Sequence, residues 1–200
     1  MTKRAICPNC LYPQSACICA AIKKMTAQTE VIVMQHPSET KHAKNSVRLM
    51  QLVMPKLRVE VGENQQDFVE LRAYLSEQSK PIYLLYPNDN SQSAAEANAP
   101  KDCILLLLDG TWKKAYRMLQ LNPWLLELSA LHLDVANASK YTIRKAKRED
   151  SLSTLEATAI MLNELDRQLD TQPLFAALEA MVQHRLQAMP KDVQQRYQTK

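Results

Sequence analysis

The feature that most constrains this chain is a run of five apolar residues, ILLLL at 104–108, that ends abruptly in Asp109 and Gly110. Five residues are far too few to cross a bilayer. The run has no polar alternation, so it predicts a strand buried on both faces, as in a parallel sheet. Asp109 then puts a carboxylate at the C-terminal edge of that strand. Gly110 permits a tight turn, and Thr111 can cap a helix carrying Trp112, Ala115, Tyr116 and Leu119 along one side. Open parallel sheets collect ligands at that edge, so Asp109 stands where chemistry is expected. The architectural alternative is that Asp109 and Thr111 only close a turn and cap a helix.

Other segments alternate in the same style. Glu30–Gln35 (EVIVMQ) reads as a strand broken by His36-Pro37. Ser38 or Thr40 can open a helix through Gln51, with Val47, Met50 and Met54 toward the core; Glu39 and Asn45 can cap it or hold a polar ligand. A short strand over 57–61 ends at Gly62. Asn64 can cap a helix to Ser79, with Phe68, Leu71 and Leu75 inward. Residues 81–86 form another strand, and 88–100 a polar loop of thirteen residues, long enough for a mobile segment or lid. After the central strand and helix, Pro123-Trp124 starts a short helical piece, and 130–135 resembles a final strand. Ser153-x-x-Glu156 matches a capping box for a helix over 151–169, and Pro173 starts a last helix that Pro190 ends. Alternation of this kind predicts an α/β domain with a mostly parallel sheet.

Two clusters carry further chemistry. Cys7, Cys10, Cys17 and Cys19 place four thiols within thirteen positions. In a reducing compartment such a cluster binds metal more often than it forms disulfides, and four thiolates can close a tetrahedral Zn²⁺ shell. The short C-x-C arm departs from the paired C-x-x-C knuckle, and ordinary reduced cysteines are the alternative. Cys103 reads as a core thiol. Between 137 and 150, Lys140, Arg144, Lys145, Lys147 and Arg148 interleave with Tyr141 without helical or strand regularity, which favours a phosphate-binding loop over a solvated face. Lys41, Lys44 and Arg48 recur at helical spacing, and Lys113, Lys114 and Arg117 add positive charge near Asp109. His36 and His42 read as local hydrogen-bonding residues near a turn.

Composition narrows the function classes. The net charge of +4 is mild, so a polyanion site must come from clustering. Only Gly62 and Gly110 are glycine, which nearly excludes a P-loop or a G-x-G-x-x-G nucleotide turn. The first residues lack a signal-peptide core, and no run reaches ~18 apolar residues. The expectation is a cytoplasmic, monomeric protein with no membrane partner.

Asp109-x-Thr111-Trp112 resembles the signature of the DTW-domain family. His36-Pro37-Ser38-Glu39, Tyr86-Pro87, Ser153-Thr154-Leu155-Glu156-Ala157 and the Cys7-x-x-Cys10…Cys17-x-Cys19 cluster resemble the family's other marks, in its order. The resemblance runs from about Cys7 to about Leu162. It implies a tRNA-uridine aminocarboxypropyltransferase, which moves the 3-amino-3-carboxypropyl group of S-adenosylmethionine onto N3 of a uridine. The implied fold is SPOUT-like, a mostly parallel sheet with a C-terminal trefoil knot, plus a small N-terminal zinc-binding module of four cysteines. The implied division is that four-cysteine module at 1–25, a catalytic domain at 26–190 and a polar tail at 191–200. Asp109, Thr111 and Trp112 would be catalytic, with Asp109 accepting the N3 proton. Tyr86, Pro87, Leu108, Asp109, Thr111, Arg144, Ser153, Thr154, Glu156 and Ala157 would line the donor pocket. RNA would lie across Lys41, Lys44, Arg48, Lys113, Lys114, Lys140, Lys145, Lys147 and Arg148. An RNA methyltransferase of related architecture and a non-enzymatic zinc-dependent RNA-binding module are the competing readings.

Overall fold

β1 (Glu30–Gln35) and β4 (Ile104–Asp109) form the centre of the sheet, paired in parallel so that Glu30 aligns with Ile104 and Gln35 with Asp109. The computed structural model describes residues 5–42, 45–133 and 152–189. β2 (Arg58–Val61) lies outside β1, and β3 (Ile82–Leu85) and β5 (Ser129–Leu131) continue beyond β4. Among the described residues the sheet has five strands, all parallel, in the order β2-β1-β4-β3-β5. Because side chains alternate across a strand, an unbroken apolar run must have cover on both sides.

That cover divides by residue parity. Val31, Val33, Leu105 and Leu107 pack with α1 (Ser46–Val53), α4 (Thr154–Leu165) and α5 (Gln172–Gln187). Ile32, Met34, Ile104 and Leu106 pack with α2 (Val69–Ser76) and α3 (Trp112–Leu121). The predicted α/β class and mostly parallel sheet are therefore observed. The N-terminal arm joins the first of these cores through Cys7, Cys10, Ile18 and Met25, and the Met25 N–H donates to the Val53 carbonyl at 2.9 Å.

Several local expectations are corrected. The stretch after His36 makes a single 3₁₀ turn (Pro37–Glu39), and α1 begins only at Ser46. The cause is competition for the N-cap: the Ser38 N–H goes to the His36 imidazole, whereas Asn45 accepts from the Arg48 N–H. The polar segment 88–100 is tied down rather than lid-like. Gln92 bridges to Leu131, and Ala94 is buried in the core. α4 starts on the expected capping box, and Pro173 stands in the first turn of α5. Gly110 has no left-handed φ; a Cβ there would stand 3.0 Å from the Lys114 Cβ, so close approach to α3 is what asks for glycine.

Residues 134–151, the middle of the roughly 130–162 stretch in which the resemblance would place a knot, lie outside the described residues, and with them Lys140, Arg144, Lys145, Lys147 and Arg148. So do Lys44 and the 191–200 tail. Among the described residues, no helix is long and apolar enough to cross a membrane.

Candidate active site

β4 delivers Asp109 to the C-terminal edge of the sheet, where it is only 8% exposed. Gln35 Nε2 donates to its Oδ2 at 2.8 Å, and the Thr154 hydroxyl donates to Oδ1 at 2.5 Å. Each carboxylate oxygen is thus held by a donor from a different element, β1 and the first residue of α4. A buried carboxylate needs such partners, since an unpaired one would carry its full desolvation cost. The Asp109 carbonyl also accepts from the His36 N–H at 2.9 Å, tying the two central strand ends together.

Thr111 caps α3, accepting from the Lys114 N–H at 3.4 Å. The expected apolar side of α3 is divided in two. Ala115, Met118 and Leu119 face the core, whereas Trp112 and Tyr116 are each 58% exposed. Trp112 is therefore no core aromatic. Its ring meets Tyr86 edge to face, with centroids 6.3 Å apart. Burial, with a smaller contribution from Tyr116, pushes the Tyr86 phenol above its usual range. Tyr86, Trp112 and Tyr116 thus form an aromatic corner beside the strand edge, a surface suited to stacking a base.

On α4, the Ser153 hydroxyl donates to Glu156 Oε2 at 2.6 Å, and the Ser153 N–H donates to the same oxygen at 2.8 Å. Glu156 is 1% exposed and committed to this capping box. Thr154 is the member of the 153–157 block whose side chain reaches Asp109. Leu108 is half-buried, and Pro87 is exposed beside Tyr86. Arg144 lies outside the described residues.

The basic residues sort differently from their helical spacing. Arg48 turns toward the N-terminal arm: it donates to the Cys10 carbonyl at 2.9 Å and lies 4.3 Å over the Tyr12 ring. This corrects its placement on a shared face with Lys41, because the shorter α1 starts after Lys41. Lys114 pairs with Glu39 at 2.7 Å, and Arg117 with Glu63 at 2.7 Å. Lys41 and Lys113 are exposed.

The four N-terminal sulfurs all lie within 4.8 Å of one another, with close pairs at 3.6 Å (Cys7–Cys19 and Cys7–Cys17) and 3.8 Å (Cys10–Cys17). A tetrahedral shell with metal–sulfur bonds of about 2.3 Å has sulfur–sulfur edges of roughly 3.8 Å. The cluster therefore fits a metal held by four thiolates. Backbone N–H groups of Cys10 and Asn9 lower the Cys7 thiol to about 6, while hydrogen bonding with Cys17 and Cys7 pushes Cys19 up to about 12. The Cys7 sulfur is thus favoured as a thiolate, the form that binds a metal.

Gln35 and Asn45 shape the Asp109 edge as well. Gln35 carries no motif; the one available signal is that a polar residue ends an otherwise apolar strand. Its pairing with Asp109 requires the sheet register.

An all-parallel sheet with a buried carboxylate at its C-terminal edge and a four-thiol arm on its flank defines an α/β domain of a specific kind. A family model described as the DTW domain matches residues 4–186, and the chain belongs to the DTW-domain family. It is 28% identical over 193 residues to tRNA-uridine aminocarboxypropyltransferase 2 of Drosophila melanogaster, covering 92% of this chain and 76% of that protein. Against the Mus musculus enzyme of the same name, identity is 27% over 195 residues, 92% of this chain and 65% of that protein. Against tRNA-uridine aminocarboxypropyltransferase A of Arabidopsis thaliana it is 23% over 234 residues, 98% and 89% of the two chains. The chain thus spans roughly two thirds or more of each relative's length. No solved structure gives a significant match.

Proposed function

We propose that this protein transfers the 3-amino-3-carboxypropyl group of S-adenosylmethionine to N3 of a uridine in tRNA, releasing methylthioadenosine. The observation that carries the reading is the buried Asp109 carboxylate, gripped at both oxygens on the sheet edge of a domain whose relatives bear that name. In the reaction the N3–Cγ bond forms and the Cγ–S⁺ bond breaks. The electron pair leaves with the sulfur, and the N3 proton passes to Asp109. The sulfonium is already a good leaving group, so the protein's main work is to align the nucleophile with Cγ and away from the methyl carbon. Trp112 and Tyr86 offer stacking surface beside that point. Arg144 would pair with the donor's carboxylate, and the basic residues at 140–148, with Lys41, Lys44 and Lys113, would meet phosphates. The pocket would include Pro87, Leu108, Thr111, Ser153, Glu156 and Ala157.

The metal would be zinc, held by Cys7, Cys10, Cys17 and Cys19. A closed four-thiolate shell leaves no open position, so its contribution is to order the arm. A SPOUT-like path with a knotted C-terminal chain, a monomeric state and a cytoplasmic location belong to the same proposal.

The deciding experiment incubates the purified protein with S-adenosylmethionine and unmodified tRNA, then measures nucleoside masses. A uridine heavier by the aminocarboxypropyl group supports the reading. A methylated nucleoside with S-adenosylhomocysteine would make it a methyltransferase, and an unmodified tRNA that still binds would make it an RNA-binding module.

A further inference from the structure

We infer that Gln35 is a positioning residue for the Asp109 carboxylate, with Asn45 fixing Gln35 in turn. The inference rests on Asp109 acting as proposed above. Gln35 is the last residue of β1, 4% exposed, and stands in register opposite Asp109. Its side-chain nitrogen has two hydrogens and two acceptors: Asp109 Oδ2 at 2.8 Å and Asn45 Oδ1 at 3.3 Å. A flipped amide would aim its oxygen at both acceptors, so only one orientation is compatible with the site. Asn45 is locked by the same logic. Its Oδ1 also accepts from the Arg48 N–H at 3.2 Å, and its Nδ2 donates to the Thr40 carbonyl at 3.2 Å.

The consequence falls on the carboxylate plane. The terminal torsion of an aspartate is broad and roughly two-fold, so a lone carboxylate would sample many orientations. Gln35 takes one oxygen and Thr154 the other, the first from the neighbouring strand and the second from a helix that covers the sheet. The remaining lone pairs then point in set directions before any substrate arrives, which is the preorganisation a proton acceptor requires. Several ionisable side chains on the surrounding elements are engaged with one another or with a cap. Glu39 pairs with Lys114, His36 and Arg117 meet Glu63, and Glu156 is taken up by Ser153. Among the described residues, the carboxylate's hydrogen-bond partners are Gln35 and Thr154.

The test compares Gln35→Met, Gln35→Glu and Asp109→Ala in the full chain, with S-adenosylmethionine and unmodified tRNA as substrates. Gln35→Met keeps the volume and removes the donor. Its kcat should fall about 10- to 100-fold while both KM values stay within about threefold, as for loss of a supporting contact to a reacting group. Gln35→Glu sets two carboxyl groups face to face, and such a pair tends to hold one proton between them. The singly protonated pair reproduces the charge and hydrogen bond of the native site. This variant should therefore work best at a pH below the wild-type optimum and lose activity as the pH rises. A Gln35→Met enzyme with wild-type kcat overturns the inference. If that variant fails to fold, Gln35→Glu decides, and an unshifted pH profile overturns it equally. Full activity in Asp109→Ala would remove the reading beneath the inference. A dead Asp109→Ala beside a normal Gln35→Met would remove the inference alone.

Discussion

The cysteine cluster and the Asp109 edge are both small polar sites set against an apolar core, yet they are assembled in opposite ways. The four thiols come from thirteen consecutive positions. The grip on Asp109 comes from Gln35 and Thr154, 74 and 45 residues away along the chain. A site closed by a short loop costs little chain entropy to form, so its stability would rest mainly on the metal that it could hold. A site gathered from distant segments exists only when the sheet and its covering helices are in place. The first can be lost alone; the second falls with the fold or with a single donor.

The largest effect expected on either side is that of Asp109→Ala. Loss of a general base typically costs about 10² to 10⁴ in rate, so transfer should drop at least about 100-fold. Affinity for S-adenosylmethionine should stay within a few-fold in calorimetry, and retained turnover would sink the base assignment. Next comes the metal. Cys10→Ser should lower bound zinc from one equivalent toward none by elemental analysis and depress the thermal midpoint. Structural zinc in small peptides is worth on the order of 10 kcal/mol, and the core contacts of Ile18 and Met25 should retain part of the arm's order. If zinc content and midpoint are both unchanged, the thiols are ordinary core cysteines.

A finer probe is Thr154→Val, which keeps the shape and removes one donor from Asp109. A hydrogen bond to a charged group is worth about 1.5–3 kcal/mol, so turnover should fall by roughly tenfold or more with zinc content intact. Unaltered kinetics would mean that α4 does not hold the carboxylate in solution. The smallest effect belongs to Arg48→Ala, which cuts the latch between the two regions. Losing its bond to the Cys10 carbonyl and its stack over Tyr12 should cost about 1 kcal/mol in denaturant titration. Its affinity for tRNA should hold within about twofold. A steep loss of tRNA binding, with a weaker salt dependence, would instead return Arg48 to the phosphate-binding surface.

Much of the architecture could be read in advance because its causes are local. The unbroken run at 104–108 demands cover on two faces wherever it lies. Ser153 and Glu156 announce a helix start within four residues, and the capping box is there. Spacing failed where two nearby caps competed. Ser38 and Asn45 are both good N-caps, and the imidazole of His36 decided between them by taking the Ser38 N–H. Trp112 shows the same limit. Its helical spacing matches Ala115 and Leu119, but the position of α3 over β4 buries those two and leaves Trp112 against Tyr86.

By itself, the order of residues determined the parallel α/β plan, the thiol cluster, the turn after β4 and the presence of a carboxylate at its end. Those follow from runs, spacings and caps spanning a few residues. The tertiary structure alone decided that Gln35 and Thr154 close on that carboxylate, that Asn45 locks Gln35, and that Arg48 serves the arm. These depend on strand register and on which helix covers which face, and both are settled by burying the whole core at once.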